Sequence, residues 1–96
     1  MKILEKEFKK KGFNHKQLKR DGELAIYERW KDVEAPHFEV IKIGSHNGYE
    51  LGGTYIEPAE TYPSDGQWGT AGWTYLALEE AEKKFKYLLR GRKSQT

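Results

Sequence analysis

An aromatic, glycine-containing segment over residues 62–73 has the residue types best suited to hold a partner or a flat ligand. Its sequence is YPSDGQWGTAGW. Glycines expose the backbone beside aromatic rings, and tyrosine and tryptophan are preferred anchors of protein interfaces. Two interpretations stay open. The rings form a contact patch bordered by acids, or Trp68 and Trp73 close the open edge of a small core, since large aromatic side chains usually bury.

The charged residues are divided along the chain, although the net charge is only +2. Residues 1–42 carry eleven bases and eight acids, residues 43–82 carry seven acids and no lysine or arginine, and residues 83–96 carry six bases and no acid. Such a division bears on partners and association. We therefore expect an acidic aromatic face, anchored by Trp68, that binds a protein with a basic surface. Its predicted residues are Tyr55, Glu57, Glu60, Tyr62, Asp65, Trp68 and Trp73.

A second candidate surface is basic. Residues 9–20 contain six bases and no acid, with the ring of Phe13 among them, and the C-terminal tail adds further bases. Such residues could neutralise phosphates while the ring stacks on a base. Nucleic-acid binding is therefore the alternative function, and a solubilising face is the structural interpretation of the same pattern. The candidate nucleic-acid-binding residues are Phe13, Lys16, Lys19, Arg20, Arg90 and Arg92.

No pattern typical of an active site or cofactor site is evident. His37 and Glu39 lie two residues apart on a predicted strand with His46 nearby, but their spacing does not supply three metal ligands of proper geometry. Serine-nucleophile elbows and glycine-rich phosphate loops are absent. The chain has no cysteine, hence no disulfide or thiolate metal site. We expect a non-enzymatic protein without a cofactor or a metal.

The chain shows no apolar run of signal-peptide or membrane-span length. We expect a soluble, cytoplasmic protein that does not contact membranes and that is a monomer or a homodimer. A third functional interpretation is a self-associating structural protein, in which the basic end of one copy meets the acidic segment of another.

The elements that must position these residues indicate an α+β fold in a single domain of 96 residues, with frayed ends over 1–8 and 91–96. Residue patterns predict strands over 13–20, 23–30, 38–43, 49–57 and 72–76, with clear alternation of apolar residues over 23–30 and β-branched residues over 38–43. From residue 78 to 90 the apolar period becomes helical. The predicted architecture is a four- to five-stranded antiparallel meander sheet packed against one C-terminal helix.

Glycine positions predict where these elements turn or stop. Asp21-Gly22 and Asn47-Gly48 are strong signals for two-residue hairpin turns. The pair Gly52-Gly53 interrupts a predicted strand and suggests a bulge or bend. Gly91 is a natural end for the helix.

Several motifs together carry a resemblance. Tyr62-Pro63-Ser64, Trp68-Gly69 and Gly72-Trp73-Thr74 precede a helix that begins LEEA, and the earlier segments GELAIYE and FEVI add to the pattern. In this order they resemble small uncharacterised proteins of bacteria and their phages. The likeness covers residues 12–89 and implies no activity. Small phage proteins of this type often bind a host protein, so the resemblance implies an inhibitor of a host or defence protein.

A second likeness begins at Trp68-Gly69. With Gly72 and the later residues Phe85 and Leu88, this spacing is similar to the core of the WGR domain, a DNA-binding module. The likeness implies nucleic-acid binding. The chain departs from that family at Thr70, where the family has arginine, and in the proline-containing loop before Trp68, where the family has a strand.

Overall fold

The computed structural model describes residues 1–94, with side chains described through residue 92. It contains a five-stranded antiparallel sheet and one C-terminal helix, which confirms the predicted α+β architecture. The strands are β1 Glu7–Lys10, β2 Phe13–Asp21, β3 Leu24–Trp30, β4 His37–Lys42, β5 Gly44–His46, β6 Tyr49–Leu51, β7 Thr54–Ile56, β8 Ala59–Thr61 and β9 Gly72–Tyr75, and the helix α1 is Leu78–Ser94. The main sheet has the order β1-β2-β3-β4-β9, while β5 pairs with β8 and β6 with β7.

One side of the main sheet, the helix face, packs against α1. Alternation along β3 and β4 places Leu24, Ile26 and Val40 on this side, where they meet Ala81 and Phe85 of the helix. All five are buried. Burying this apolar stripe against the sheet is what stabilises α1 in its place.

The other side, the open face, is not covered by α1. Ala25, Tyr27 and Ile41 point to this side, where segments outside the main sheet bury them. Leu4 of the N-terminal segment covers one part of this face. The chain between β4 and β9, called the excursion, covers another part with Tyr62. Both sides of β3 and β4 are therefore buried.

The structure corrects two predicted turns. The β2–β3 hairpin turns at Gly22 and Glu23, because Asp21 already pairs with Leu24, and only Gly22 has a positive φ, +62°. The predicted turn at Asn47-Gly48 is wrong, since these residues link β5 to β6.

The reversal of the chain lies at Gly52 and Gly53, with φ angles of 57° and 81°, which suits a two-residue type I′ turn. The predicted strand over 49–57 is thus two strands, β6 and β7, that pair with each other and lie outside the main sheet. We call this ribbon, Tyr49–Ile56, the arm, and we call the main sheet with α1 the body.

The arm affects the shape of the protein. The radius of gyration is 14.5 Å and the principal extents are 45 × 43 × 22 Å. A compact domain of this length has a radius of gyration of about 12–13 Å. The larger value indicates a flat molecule with a projecting part rather than a rounded one.

The helix does not stop at Gly91 as predicted but continues to Ser94. A glycine inside a helix costs only about 1 kcal/mol, so one stabilising contact beyond it offsets the cost. Arg92 supplies such a contact, donating to the backbone oxygen of Asp21 at 2.9 Å and to its carboxylate at 2.8 Å. Among residues 1–94 no helix is long and apolar enough to cross a membrane.

The chain ends differ from the expected frayed segments where they are described. The backbone N–H of Lys2 donates to the carbonyl oxygen of Pro58 at 3.0 Å. Its carbonyl oxygen accepts from the backbone N–H of Glu60 in β8 at 2.8 Å. Strand β1 begins at Glu7. Within the predicted tail, residues 91–94 belong to α1, and residues 95–96 lie outside the described part.

Candidate functional site

The residues predicted to form one acidic aromatic face lie in separate places. Tyr55 lies in the arm, and Glu57 is the residue that follows the arm. Both side chains are exposed. Tyr62 and Trp68 lie over the open face of the sheet, with Asp65 beside them. Glu60 is tied to β2, and Trp73 lies on the helix face. These residues therefore do not form one continuous face.

Glu60 is engaged inside the protein. Its carboxylate accepts two hydrogen bonds from the Arg20 guanidinium, at 2.8 and 2.7 Å, and one from the backbone N–H of Leu4 at 2.9 Å. This bidentate pair lowers the pKa of Glu60 from 4.5 to about 2, with the Leu4 N–H contributing further. Glu60 fastens the N-terminal segment to the sheet, and neither Glu60 nor Arg20 is free to attract a partner.

Tyr62 and Glu39 form the centre of a buried polar network. The Tyr62 hydroxyl donates to Oε1 of Glu39 at 2.6 Å, and Thr74 Oγ1 donates to Oε2 at 3.3 Å. Burial, reinforced by the neighbouring Glu39 charge, raises the pKa of Tyr62. The hydroxyl therefore stays protonated and acts as a donor to the carboxylate.

Two further side chains reach Glu39, one from β2 and one from β3. His15 Nε2 lies 3.9 Å from Oε1, and Arg29 Nε lies 3.5 Å from Oε2. His15 is only 5% exposed, and its Nδ1 lies 3.1 Å from the carbonyl oxygen of Phe13. Desolvation by burial lowers the pKa of His15 below its ordinary 6.5. The members of this network come from five separate segments, so no local sequence pattern identifies the network as a unit.

Trp68 is fixed by the sheet edge rather than presented as a free anchor. Its indole N–H donates to Thr74 Oγ1 at 2.9 Å, and its ring lies near the Tyr62 ring at 6.5 Å between centroids. A Cβ at Gly72 would lie 2.5 Å from the Trp68 ring, so a glycine is required there for the ring to seat. Trp68 is half-buried, so part of its side chain packs in the protein and part stays accessible.

Trp73 lies on the opposite side of the sheet. It packs against the buried cluster of the helix face, and the ammonium of Lys84 from α1 lies 4.3 Å from its ring centroid. The core interpretation therefore describes Trp73. The two tryptophans lie on opposite sides of the sheet and are not parts of one contact surface.

A cavity of about 240 Å³ opens on the open face beside the Glu39 network. Its walls combine bases with rings: Lys10, Lys11, Phe13, Arg29, Tyr62 and Trp68. Asp65 is also at the wall, where it pairs with Lys11 at 2.6 Å, and this contact lowers the pKa of Asp65. Glu39 contributes a second acid to the lining, so three bases face two acids and the site is aromatic with a small positive excess.

The arm presents large apolar side chains to solvent. Cross-strand pairing puts Tyr49, Leu51 and Ile56 on one side of the ribbon and Glu50 and Tyr55 on the other. None of them belongs to the two buried clusters of the body. Tyr49 and Leu51 were not predicted as contact residues. The alternation of Tyr49 and Leu51 before Gly52-Gly53 was the signal that could have identified them.

The predicted nucleic-acid-binding residues do not gather on one face. Phe13 lines the cavity, whereas Lys19 lies 5.2 Å above the Phe85 ring on the helix face. Lys16 stands opposite Glu7 and Glu28 in the strand register. Arg20 and Arg92 are held in the ion pairs described above, and Arg90 is exposed on α1.

Among the described residues, no group of three or more histidine, aspartate or glutamate side chains could hold a metal ion. Comparison of the chain with protein-family models, with curated proteins and with solved structures gave no match.

Proposed function

We propose that this protein is a small non-enzymatic module that binds another protein through its arm. The observation that carries the proposal is the exposure of three large side chains on a ribbon outside the main sheet. Tyr49 is 49% exposed, Leu51 65% and Tyr55 58%. A ribbon of two short strands has little stability of its own, so exposed rings on it are costly unless they serve a contact.

The charge around the arm indicates the chemistry of the partner. Glu50 and Glu57 flank the exposed rings, and no lysine or arginine occurs between residues 43 and 82. Acidic groups at the rim of an aromatic contact attract a basic surface and suppress acidic partners. The partner is therefore a protein with a basic surface around an apolar depression that can receive Leu51 or Tyr55.

The arm also offers its backbone. Among the described strands β6 and β7 pair only with each other, so each has an unpaired edge. A partner strand can add to such an edge through main-chain hydrogen bonds, while Tyr49 and Leu51 enter side-chain pockets. Glu50 on the same strand disfavours indiscriminate edge pairing.

The resemblance to small bacterial and phage proteins extends this proposal. It favours a host or defence protein as the target and inhibition as the consequence. A nucleic-acid-binding enzyme is a suitable target, because its basic groove matches the acidic arm in charge.

The test is partner capture from host lysate with a matched pair of variants. Leu51→Ser removes an apolar side chain from the arm, and Leu76→Ser removes one from the body with a similar exposure, 77%. We expect the wild-type chain and Leu76→Ser to retain one stoichiometric protein after nuclease treatment. Leu51→Ser should lose it, with the partner then identified and its binding repeated with purified components.

Three outcomes would contradict the proposal. A folded Leu51→Ser variant that keeps the partner would remove the arm from the interface. Recovery that depends on nucleic acid would favour the alternative function. A mass that rises with concentration and falls in high salt, without a second protein, would assign the surface to self-association.

A further inference from the structure

The cavity on the open face lies outside the proposed protein contact. Its lining comes from β1, β2, β3, β4 and the excursion before β9, and no arm residue contributes to it. Strand residues form half of its lining, so Lys10, Phe13 and Arg29 are held on rigid elements. Such a position is typical of a binding site rather than of a gap between loops.

Arg29 is one of the residues that line this cavity. Its Nε is buried and has no hydrogen-bond partner among the described residues. The nearest carboxylate is Glu39, 3.5 Å away, whose oxygens already accept from Tyr62 and Thr74. A guanidinium carries five donors, and an oxygen-rich anion is the acceptor that matches them.

Two lysines extend this positive wall. Lys10 Nζ lies 5.5 Å from the Tyr62 ring centroid. Lys11 adopts φ 52°, a region that lysine rarely occupies, at the turn where its ammonium reaches Asp65. That ion pair is exposed, so it contributes little to stability and an incoming anion can replace the carboxylate.

The remaining wall is aromatic. Phe13 lies beside Arg29, whose Cζ is 4.6 Å from the ring centroid, and Trp68 adds a second ring to the lining. Ring surfaces next to cations suit a ligand that joins a flat group to an anionic one. The volume of about 240 Å³ is smaller than that of pockets for drug-sized ligands, roughly 300–1,000 Å³.

We propose that this cavity binds one nucleotide, with the phosphate against Lys10 and Arg29 and the base against Trp68. The nucleotide is either free in solution or the phosphorylated end of a nucleic-acid strand. The chemistry is the same in both cases, and the cavity is too small for a longer segment.

The test is a titration with AMP, followed by amide and indole chemical shifts, on the full chain and two matched variants. Lys10→Gln and Lys9→Gln remove the same charge from adjacent positions whose side chains point to opposite sides of β1. We expect saturable shifts around Lys10, Arg29 and the Trp68 indole. Lys10→Gln should weaken binding about tenfold, the range of one charge-assisted hydrogen bond. Lys9→Gln should stay within about twofold of the wild type, since an exposed charge on the far side contributes little.

Shifts that do not saturate with AMP, or equal weakening in both variants, would overturn the proposal. So would inorganic phosphate or adenosine binding as tightly as AMP, because each lacks one of the two recognised groups. A 5′-phosphorylated oligonucleotide separates the sources. If this oligonucleotide binds more tightly than AMP, with the same dependence on Lys10, the ligand of the cavity is the end of a strand. If it binds equally or more weakly, the ligand is the free nucleotide.

Discussion

The arm and the body place similar residues in opposite environments. In the body, Leu24 and Tyr27 of β3 are buried on the two sides of the sheet. In the arm, Leu51 and Tyr55 remain mostly in water, on strands of the same kind. A leucine or tyrosine buried on folding contributes roughly 1.5–3 kcal/mol, and an exposed one contributes almost nothing. The body is therefore built for stability, whereas the arm keeps its apolar surface available for another molecule.

The largest difference is expected when an apolar side chain is truncated in each region. Phe85→Ala empties the centre of the helix-face core and should lower the free energy of unfolding by about 3–5 kcal/mol. Leu51→Ala in the arm should change it by no more than about 0.5 kcal/mol. Urea unfolding followed by circular dichroism measures both. A comparable loss in the two variants would mean that the arm is part of the core.

A tyrosine hydroxyl gives the next contrast. Tyr62→Phe removes the hydroxyl that donates to the buried Glu39 carboxylate. This change should lower the free energy of unfolding by about 1–3 kcal/mol. Tyr55→Phe should leave stability unchanged within about 0.5 kcal/mol, since the Tyr55 side chain is exposed. Equal thermal midpoints for the two variants would contradict the assigned role of the Glu39 network.

Two glutamates of the same segment give a smaller, pH-dependent contrast. Because the folded-state pKa of Glu60 is depressed to about 2, its contribution is present above pH 4.5 and is lost as the pH falls toward 2. Glu60→Gln should lower the free energy of unfolding by about 1–2 kcal/mol at pH 7. It should also reduce the loss of stability between pH 4.5 and 2, which is the acid limb of the stability profile. Glu57→Gln, exposed beside the arm, serves as the control. An unchanged acid limb in Glu60→Gln would exclude the Arg20 pair as its cause.

His15 should produce the smallest of these effects, within the body alone. Its folded-state pKa lies below 6.5, so the unfolded chain binds a proton first and stability falls as the pH drops below 6.5. One such group changes stability by at most about 1.4 kcal/mol per pH unit. We expect His15→Gln to reduce the slope between pH 5 and 6.5, as measured by unfolding at several pH values. A slope identical to that of the wild type would contradict the buried, neutral state.

The sequence predicted the body well because its signals are local. Strand β4 was identified from its β-branched residues, and α1 from the stripe through Ala81 and Phe85. These patterns depend on residues within one element. The later extension of α1 past Gly91 was missed because its stabilising contact, Arg92 with Asp21, joins residues 71 positions apart.

The arm and the cavity were predicted less well for related reasons. Asn47-Gly48 and Gly52-Gly53 are both good turn signals, and only the pairing of Tyr49 with Ile56 selects the second. The cavity joins side chains from five segments, so no short motif contains it. Of the predicted contact residues, Tyr55 and Glu57 lie at the arm, Glu60 in β8, Trp73 in the body, and Tyr62, Asp65 and Trp68 at the cavity.

The most direct test of protein binding through the arm is site-specific photo-crosslinking in host cells. A benzophenone amino acid replaces Tyr55 in the arm or, as the matched control, Tyr87 of α1, which is 67% exposed. The account predicts one defined protein adduct from position 55 and none of comparable yield from position 87. No adduct at position 55, or the same adduct at equal yield from both positions, would contradict it.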